Sequence, residues 1–156
     1  MKIVIASDKS GYNLKEFIKN YFDDEGLPYI EAGTTDVDKP VPFFKAAPEA
    51  IGYILREEAD IAILICGTGM GMNQVANCYK GIRAAGVESV YGAKMSRAIN
   101  DSNVLCMGGW IIGPEMGLEM VKAFLTTQFT EGLEEWRQDF LKNAKKEFSA
   151  LEDSIY

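Results

Sequence analysis

Residues 61–71 of the chain read Ile61-Ala62-Ile63-Leu64-Ile65-Cys66-Gly67-Thr68-Gly69-Met70-Gly71. An apolar run that ends in a loop with glycine at every second position predicts a buried strand turning into a helix. We call residues 66–71 the cysteine loop. Its glycines allow a tight turn in which several backbone N–H groups converge, which suits an anion and favours the thiolate of Cys66. A turn with only a structural role is the alternative, because glycine-rich strand-to-helix turns are common.

The composition is that of an ordinary globular protein with an acidic surface. The 156 residues include 16 Lys and Arg against 23 Asp and Glu, a net charge of −7, and 47% of them are hydrophobic. A negative chain is poorly suited to bind nucleic acid or an anionic membrane, and neither is expected as a partner. The amino terminus is charged too early for a signal peptide, and no apolar run has the length of a membrane span. We therefore expect a cytoplasmic protein.

The chain has no histidine, and its three cysteines are Cys66, Cys78 and Cys106. An odd number of cysteines without an export signal indicates reduced thiols. Without histidine or closely spaced cysteine pairs, no zinc site is expected. Proton transfer then has to use groups such as Cys, Asp, Glu, Lys or Tyr. Cys78 and Cys106 fall in apolar segments and are interpreted as core thiols.

Apolar runs alternate with segments of helical periodicity as far as residue 127. The predicted strands are 2–7, 29–32, 61–65, 82–87 and 104–107, and the predicted helices are 13–25, 46–58, 74–79, 91–99 and 114–127. This alternation predicts an α/β fold: a doubly wound, Rossmann-like, five-stranded parallel sheet with helices on both faces. Because such sheets bind ligands at the carboxyl ends of their strands, the cysteine loop lies where a site is expected.

The charged segment after residue 133 predicts a further helix. Trp136, Phe140 and Phe148 recur at spacings of four and eight residues, which gives one apolar stripe on a solvated helix. We therefore divide the chain into a Rossmann-like domain, residues 1–132, and a helical C-terminal tail, residues 133–156. The stripe packs either on its own domain or, as we expect, on a partner subunit.

Several motifs together resemble those of one enzyme family. Asp8-Lys9-Ser10-Gly11, followed by Leu14-Lys15, resembles the opening of the type B ribose-5-phosphate isomerases and the galactose-6-phosphate isomerase subunits. Residues 65–72, which contain the cysteine loop, are similar to that family's loop almost letter for letter. Further matches in order and spacing are residues 81–85, Ser96-Arg97, residues 100–105, and Gly108 with Ile112-Gly113. The resemblance covers about residues 1–137.

This resemblance implies a cofactor-independent and metal-independent aldose–ketose isomerase that acts on a short sugar phosphate through an enediol. It assigns Cys66 as the base that moves a proton between C1 and C2, and Asp8 as the group that moves a proton between the two oxygens. Loop N–H groups would stabilise the enediolate oxygen, an effect worth several kcal/mol. The remaining implied site residues are Thr68 and Asn100 as catalytic donors, and Lys9, Gly67, Gly69, Met70, Gly71 and Arg137 as substrate contacts. The family builds its site from both chains of a dimer, so a homodimer or a dimer of dimers is expected.

Three departures from the family pattern concern the substrate. Lys9 replaces a histidine and retains a positive charge for a phosphate, without the same proton-transfer chemistry. Ile99 replaces the histidine credited with opening the furanose ring, and isoleucine cannot move a proton. Leu133 replaces one of two phosphate-binding arginines, whereas Arg137 is kept.

The loss of the histidine at position 99 favours a substrate that is already open. A tetrose 4-phosphate carries its phosphate on O4 and cannot close a furanose, whereas a pentose 5-phosphate can. The erythrose 4-phosphate and erythrulose 4-phosphate pair is therefore favoured, with a pentose 5-phosphate or an unphosphorylated sugar as alternatives. Two other functions stay open: a non-catalytic or half-site subunit of a hetero-oligomeric isomerase, and a dinucleotide-binding module. The module is disfavoured because the loop lacks the full GxGxxG form.

Overall fold

Strands and helices alternate along the chain, and one long helix follows them. The computed structural model describes residues 1–156. The strands are β1 (Ile3–Ser7), β2 (Tyr29–Gly33), β3 (Ile61–Cys66), β4 (Ala84–Gly86) and β5 (Val104–Gly108). The helices are α1 (Tyr12–Asp24), α2 (Phe43–Leu55), α3 (Met70–Ala76), α4 (Val90–Asn100), α5 (Pro114–Thr126) and α6 (Glu135–Ile155).

The five strands form one parallel sheet in the order β2-β1-β3-β5-β4. From β1 the chain winds to β2 on one side, and from β3 it continues on the other side. The winding direction therefore reverses between β1 and β3, which pair in register from Ile3 with Ile61 to Ser7 with Ile65. The predicted doubly wound parallel sheet is confirmed. Its topology makes the carboxyl ends of β1 and β3 the expected ligand-binding crevice.

Apolar side chains fill both faces of the sheet. Val4 and Leu64 belong to a cluster of 16 buried residues beneath α2 and α3, whereas Ile5 and Ile63 belong to a cluster of 15 beneath α1, α4 and α5. Each fully buried aliphatic side chain of this kind contributes about 1.5–3 kcal/mol. Because helices cover both faces, the strands are continuous apolar runs, as the sequence indicated. This core gives the loops at the carboxyl edge a rigid base.

Two helices begin earlier than their sequence patterns predict. α2 starts at Phe43 instead of residue 46, with Pro48 inside the helix. The exposed Phe43 and Phe44 side chains fall outside the apolar periodicity that marks the rest of α2. α3 starts at Met70 instead of residue 74, directly after Gly69, whose left-handed φ of 78° makes the turn. The amino end of α3 therefore lies within the cysteine loop.

The C-terminal helix α6 lies at the amino ends of β4 and β5. Lys145 pairs with Asp101, and the Ser149 hydroxyl accepts a hydrogen bond from Arg83. No residue of α6 is fully buried, and the helix extends to Ile155, which agrees with the helix predicted after residue 133. No helix of the chain combines the length and the apolar character that crossing a bilayer requires.

The interpretation of Cys78 as a core thiol is wrong. α3 ends at Ala76, so Cys78 lies exposed in the following turn, with its Sγ 3.3 Å from the carbonyl oxygen of Gln74. Cys106 is fully buried in β5, as predicted. Burial raises the pKa of the Cys106 thiol, and the neighbouring Cys66 adds to this shift.

Candidate active site

Asp8 and Cys66 follow neighbouring strands at the point where the winding reverses. Asp8 comes directly after β1, and its N–H donates to the carbonyl oxygen of Ile65 in β3 at 3.2 Å. Its half-buried carboxylate accepts a hydrogen bond from the Gly11 N–H at 3.0 Å, which fixes its orientation. Gly11 leaves no room for a side chain, because an added β-carbon would lie 2.1 Å from the Ile65 carbonyl oxygen. The fold therefore brings these two predicted site residues to adjacent positions.

The cysteine loop presents backbone N–H groups that no acceptor of the chain uses. Cys66 itself is almost buried, with 4% of the residue exposed. The N–H groups at positions 67, 68, 69 and 71 donate to no oxygen of the chain, whereas the carbonyl oxygens of Cys66 and Gly67 accept from Gly109 at 2.7 Å and Trp110 at 2.9 Å. The loop is thus held through its carbonyl groups, and its N–H groups are available to an anion.

The three glycines of the loop each have a separate structural reason. Gly69 has the left-handed φ noted above, and an added β-carbon would lie 2.8 Å from the backbone of β5. At Gly67 an added β-carbon would lie 2.9 Å from the indole ring of Trp110, and at Gly71 it would lie 3.0 Å from the ring of Phe43. The sequence analysis missed both aromatic side chains. The signal for Trp110 was present, since it directly follows a glycine pair at the end of a predicted strand.

Thr68 and Met70 line a pocket of about 200 Å³ between the cysteine loop and the carboxyl end of β4. The Thr68 hydroxyl accepts a hydrogen bond from the Met70 N–H at 3.3 Å. Met70 is 58% exposed, which leaves its side chain accessible at this edge. Gly86 and Glu88 border the opposite side of the pocket.

Lys9 is an exposed cation at the same edge of the sheet. It follows Asp8, and its backbone carbonyl oxygen accepts a hydrogen bond from Tyr12, the first residue of α1, at 3.4 Å. Its ammonium group takes part in none of the nine ion pairs of the chain. An unpaired cation beside the cysteine loop attracts anionic ligands to it.

Asn100 and Arg137 lie away from Cys66 within one chain. Asn100 ends α4, an 11-residue helix that runs about 16 Å from the carboxyl edge of the sheet to its amino edge. Arg137 lies in the first turn of α6, the helix that contacts that amino edge, and it forms no ion pair within the chain. One chain therefore assembles the predicted site except for these two side chains.

A buried ion pair supports this edge, and no sequence pattern indicated it. Lys15 of α1 is fully buried, with its ammonium nitrogen 2.5 Å from the Glu31 carboxylate, and it donates to the carbonyl oxygen of Thr34. Lys19 contacts Glu31 at 2.8 Å. Burial alone would raise the pKa of Glu31, but hydrogen bonds from Lys15 and Lys19 lower it. The pair holds α1, and with it the turn that carries Asp8, against the end of β2.

The chemistry that the site offers is proton transfer rather than metal ligation. No three Cys, Asp or Glu side chains of the chain converge in a way that could hold a metal ion. The groups that do converge are one thiol, one carboxylate and a set of N–H donors. A thiol and a carboxylate move protons, and N–H donors stabilise an oxygen that becomes negative during the reaction.

Comparison with known proteins agrees with this geometry. A family model described as Ribose/Galactose Isomerase matches residues 3–141. The chain belongs to this family. The match confirms the resemblance that the cysteine loop and the other motifs indicated, and it replaces the dinucleotide-binding interpretation.

Two relatives and one solved structure illustrate the spread of this isomerase family. The 4-deoxy-4-sulfo-D-erythrose isomerase of Clostridium sp. strain MSTE9 is 56% identical over 156 residues, 100% of this chain and 98% of the relative. The D-erythrulose-4-phosphate isomerase 2 of Mycolicibacterium smegmatis is 38% identical over 83% of this chain and 86% of the relative. The ribose-5-phosphate isomerase B structure from Clostridium thermocellum has a TM-score of 0.89 and 32% identity, with 100% of both chains covered. The chain is therefore an aldose–ketose isomerase of the sugar-phosphate isomerase type.

Proposed function

We propose that this isomerase interconverts the aldose and ketose forms of a four-carbon sugar that ends in a monoanion, with 4-deoxy-4-sulfo-D-erythrose as the aldose. The isomerase of Clostridium sp. strain MSTE9 that carries this substrate in its name is similar along the entire chain. The observation that carries the proposal is Ile99, which stands where the ring-opening histidine of the family pattern is found.

Ile99 favours a substrate that needs no ring opening. Furanose closure joins the oxygen on C4 to the aldehyde carbon. 4-Deoxy-4-sulfo-D-erythrose carries a sulfonate on C4 in place of that oxygen, so it stays in the open form. A pentose 5-phosphate retains the C4 hydroxyl, closes its ring and requires a proton-transfer group that isoleucine does not offer.

The charge around the site favours a monoanion over a dianion. Leu133 replaces one of the two arginines of the family pattern, which leaves Lys9 and Arg137 as the cations for the terminal group. A sulfonate carries one negative charge, whereas a phosphate monoester carries about 1.5 to 2 at pH 7. A tetrose 4-phosphate is the second candidate, because the D-erythrulose-4-phosphate isomerase 2 of Mycolicibacterium smegmatis is also similar.

In the proposed reaction the Cys66 thiolate removes the proton from C2 of the open aldose. The electron pair forms the C1–C2 double bond of an enediolate, and the C1 oxygen takes the negative charge. The N–H groups of the cysteine loop and the Thr68 hydroxyl stabilise that oxygen. Asp8, oriented by the Gly11 N–H, passes the proton from O2 to O1. The Cys66 thiol then returns its proton to C1, which leaves a ketone at C2.

A second copy of the chain is proposed to complete the site. Within one chain, Asn100 and Arg137 lie at the edge of the sheet opposite Cys66. To take part in catalysis they must therefore approach the Cys66 of another chain. On α6, Trp136 is 70% exposed and Phe140 is 63% exposed. Large exposed apolar side chains on one helix are typical of an interface between chains. We infer a homodimer, or a dimer of dimers, in which residues 133–156 pack on the partner.

The test of the proposed reaction is an isomerisation assay in deuterium oxide with 4-deoxy-4-sulfo-D-erythrose, D-erythrose 4-phosphate and D-ribose 5-phosphate. We expect the highest kcat/KM for the sulfonate, and in Cys66→Ala a loss of turnover and of deuterium incorporation by about 10²–10⁴-fold. Cys78→Ala is the control, because it removes a free thiol that lies exposed in the turn after α3, outside the pocket beside the cysteine loop. Turnover of ribose 5-phosphate as fast as that of the tetroses contradicts the proposal.

The Leu133→Arg variant tests the charge argument by restoring the second arginine. We expect it to raise kcat/KM for D-erythrose 4-phosphate relative to the sulfonate, while Leu133→Met, which adds no charge, leaves the ratio as it is. If wild-type protein turns over none of these sugars, the alternative of a non-catalytic or half-site subunit of a hetero-oligomeric isomerase is favoured. A related chain should then co-purify with it and restore activity.

A further inference from the structure

Trp110 is a large aromatic side chain that stands exposed at the mouth of the site. The residue is 73% exposed, and its indole ring lies on Gly67, the residue that follows Cys66. A β-carbon added at Gly67 would be 2.9 Å from each of the ring atoms Cδ2, Cε3 and Cζ3. The reaction proposed above does not use this ring. Its place beside the reacting cysteine suggests a contact with the substrate.

The segment that carries Trp110 is held firmly at this place. The Gly109 N–H donates to the Cys66 carbonyl oxygen at 2.7 Å, and the Trp110 N–H donates to that of Gly67 at 2.9 Å. Gly109 also lies close against the neighbouring turn, since an added β-carbon would be 2.8 Å from the Ser10 carbonyl oxygen. The backbone of Trp110 is therefore fixed on both sides, and the ring forms a wall of the site.

Phe43 occupies the corresponding position at the other end of the cysteine loop. Its ring lies against Gly71, where an added β-carbon would be 3.0 Å away, and Phe44 packs edge-on to it with ring centroids 5.4 Å apart. The N–H donors of the loop are thus flanked by two aromatic rings. A polar cradle between apolar walls fits a ligand that combines an anionic oxygen with a short carbon chain.

We propose that Trp110 determines the length of the sugar that this isomerase accepts, by packing its ring against the carbon chain beyond the two reacting carbons. The inference rests on the proposed function, because it takes C1 and C2 to lie at Cys66. The ring stands one residue away from that thiol, so a chain that continues past C2 runs along it. A fourth carbon ends beside the ring, whereas a fifth carbon with its hydroxyl group has to displace it.

The test compares D-erythrose 4-phosphate with D-ribose 5-phosphate, because both end in a phosphate and they differ in length. Ring closure of the pentose affects wild type and variant equally, so it cancels from the change in the ratio of their kcat/KM values. We expect Trp110→Ala to shift the ratio of their kcat/KM values by about tenfold or more toward the pentose, mainly through KM. Trp110→Phe keeps a flat ring and is expected to stay within about threefold of wild type. A ratio that Trp110→Ala leaves unchanged, or that both variants shift equally, overturns the inference. If wild type prefers D-erythrose 4-phosphate to 4-deoxy-4-sulfo-D-erythrose, the proposed substrate is wrong. The ratio of kcat/KM for the tetrose and pentose phosphates still tests the role of Trp110.

Tryptophan fluorescence gives a second readout that does not depend on turnover. The chain has two tryptophans, so Trp110 is the only one left in Trp136→Phe. In Trp136→Phe combined with Cys66→Ala, we expect D-erythrose 4-phosphate to change the emission of Trp110 in a saturable way and at lower concentration than D-ribose 5-phosphate. Emission that neither sugar changes overturns the contact. Titration of Trp136→Phe with the unreactive D-erythronate 4-phosphate decides the matter if the Cys66 variant does not fold.

Discussion

The ammonium nitrogen of Lys15 lies 2.5 Å from a carboxylate oxygen of Glu31, and the two side chains differ in exposure, at 0% and 25%. Water cannot reach the Lys15 ammonium, so this charge relies on its partner for stabilisation more than the Glu31 carboxylate does. Lys19 contacts the second oxygen of Glu31 at 2.8 Å and is itself partly exposed. A buried charge left without its partner is strongly destabilising, whereas removal of both charges is much less so.

Glu31→Gln is expected to destabilise the fold more than Lys15→Met. The first change leaves the buried ammonium with only the more exposed carboxylate of Glu16, 3.5 Å away, and we expect the free energy of unfolding to fall by about 3 kcal/mol. The second leaves the Glu31 carboxylate, which is 25% exposed and still pairs with Lys19, and we expect less than half of that loss. Urea unfolding of the two single variants and the double variant measures this. If the two single variants lose the same free energy of unfolding, Lys15 does not rely on Glu31 more than Glu31 relies on Lys15.

The same ion pair makes the stability of the fold sensitive to acid. Burial alone would raise the pKa of Glu31, but the hydrogen bonds from Lys15 and Lys19 lower it in the folded state. The stabilisation is therefore fully present above the pKa of an unfolded-state glutamate, about 4.3, and is lost as the pH falls through the lower folded-state value. We expect the free energy of unfolding to fall less between about pH 5 and pH 3 in Glu31→Gln than in wild type. Parallel slopes over that range would contradict this assignment.

Gly69→Ala and Gly81→Ala separate the backbone strain of the cysteine loop from its close packing. Both glycines have a left-handed backbone, with φ of 78° and 79°. At Gly81 an added β-carbon meets nothing within 4 Å, whereas at Gly69 it lies 2.8 Å from the Met107 carbonyl carbon. We expect Gly81→Ala to lower the free energy of unfolding by about 1–2 kcal/mol, and Gly69→Ala to add about 1–3 kcal/mol to that through overpacking. Urea unfolding measures both, and similar losses would mean that the loop yields without strain.

The fold class and half of the site could be predicted because their signals are local. Five apolar runs separated by helical periodicity indicate a parallel sheet, and the cysteine loop is one continuous stretch that the fold keeps together. The strand order β2-β1-β3-β5-β4 depends on which strands pair across long separations, and periodicity carries no record of that.

The features that the sequence did not reveal concern residues whose surroundings come from elsewhere in the chain. Lys15 looks like any charged residue on an amphipathic helix, and its burial depends on contacts with Glu31 and Thr34, 16 and 19 residues away. Cys78 was assigned to the core because an apolar segment continues to residue 79, but α3 ends at Ala76. The resemblance assigns Asn100 to the site, and this stays a prediction, because α4 ends at the edge of its own sheet opposite Cys66.

Cys66 and Asn100, at opposite edges of one sheet, lead to a prediction about mixed dimers. Cys66→Ala and Asn100→Ala are each expected to be inactive alone. When the two are unfolded and refolded together, half of the dimers contain one chain of each kind. Such a dimer has one intact site, formed by the unchanged Cys66 of one chain and the unchanged Asn100 of the other. We expect activity to recover to about a quarter of the wild-type value.

The matched control mixes Cys66→Ala with Thr68→Ala. These two residues lie in the same loop and therefore serve the same site, so no mixed dimer has an intact one and no recovery is expected. Sedimentation of the refolded mixtures checks that dimers have formed in both. Recovery in the control as large as in the first mixture would indicate exchange or contamination. No recovery in the first mixture would mean that Asn100 acts within its own chain, against the distance that α4 sets between them.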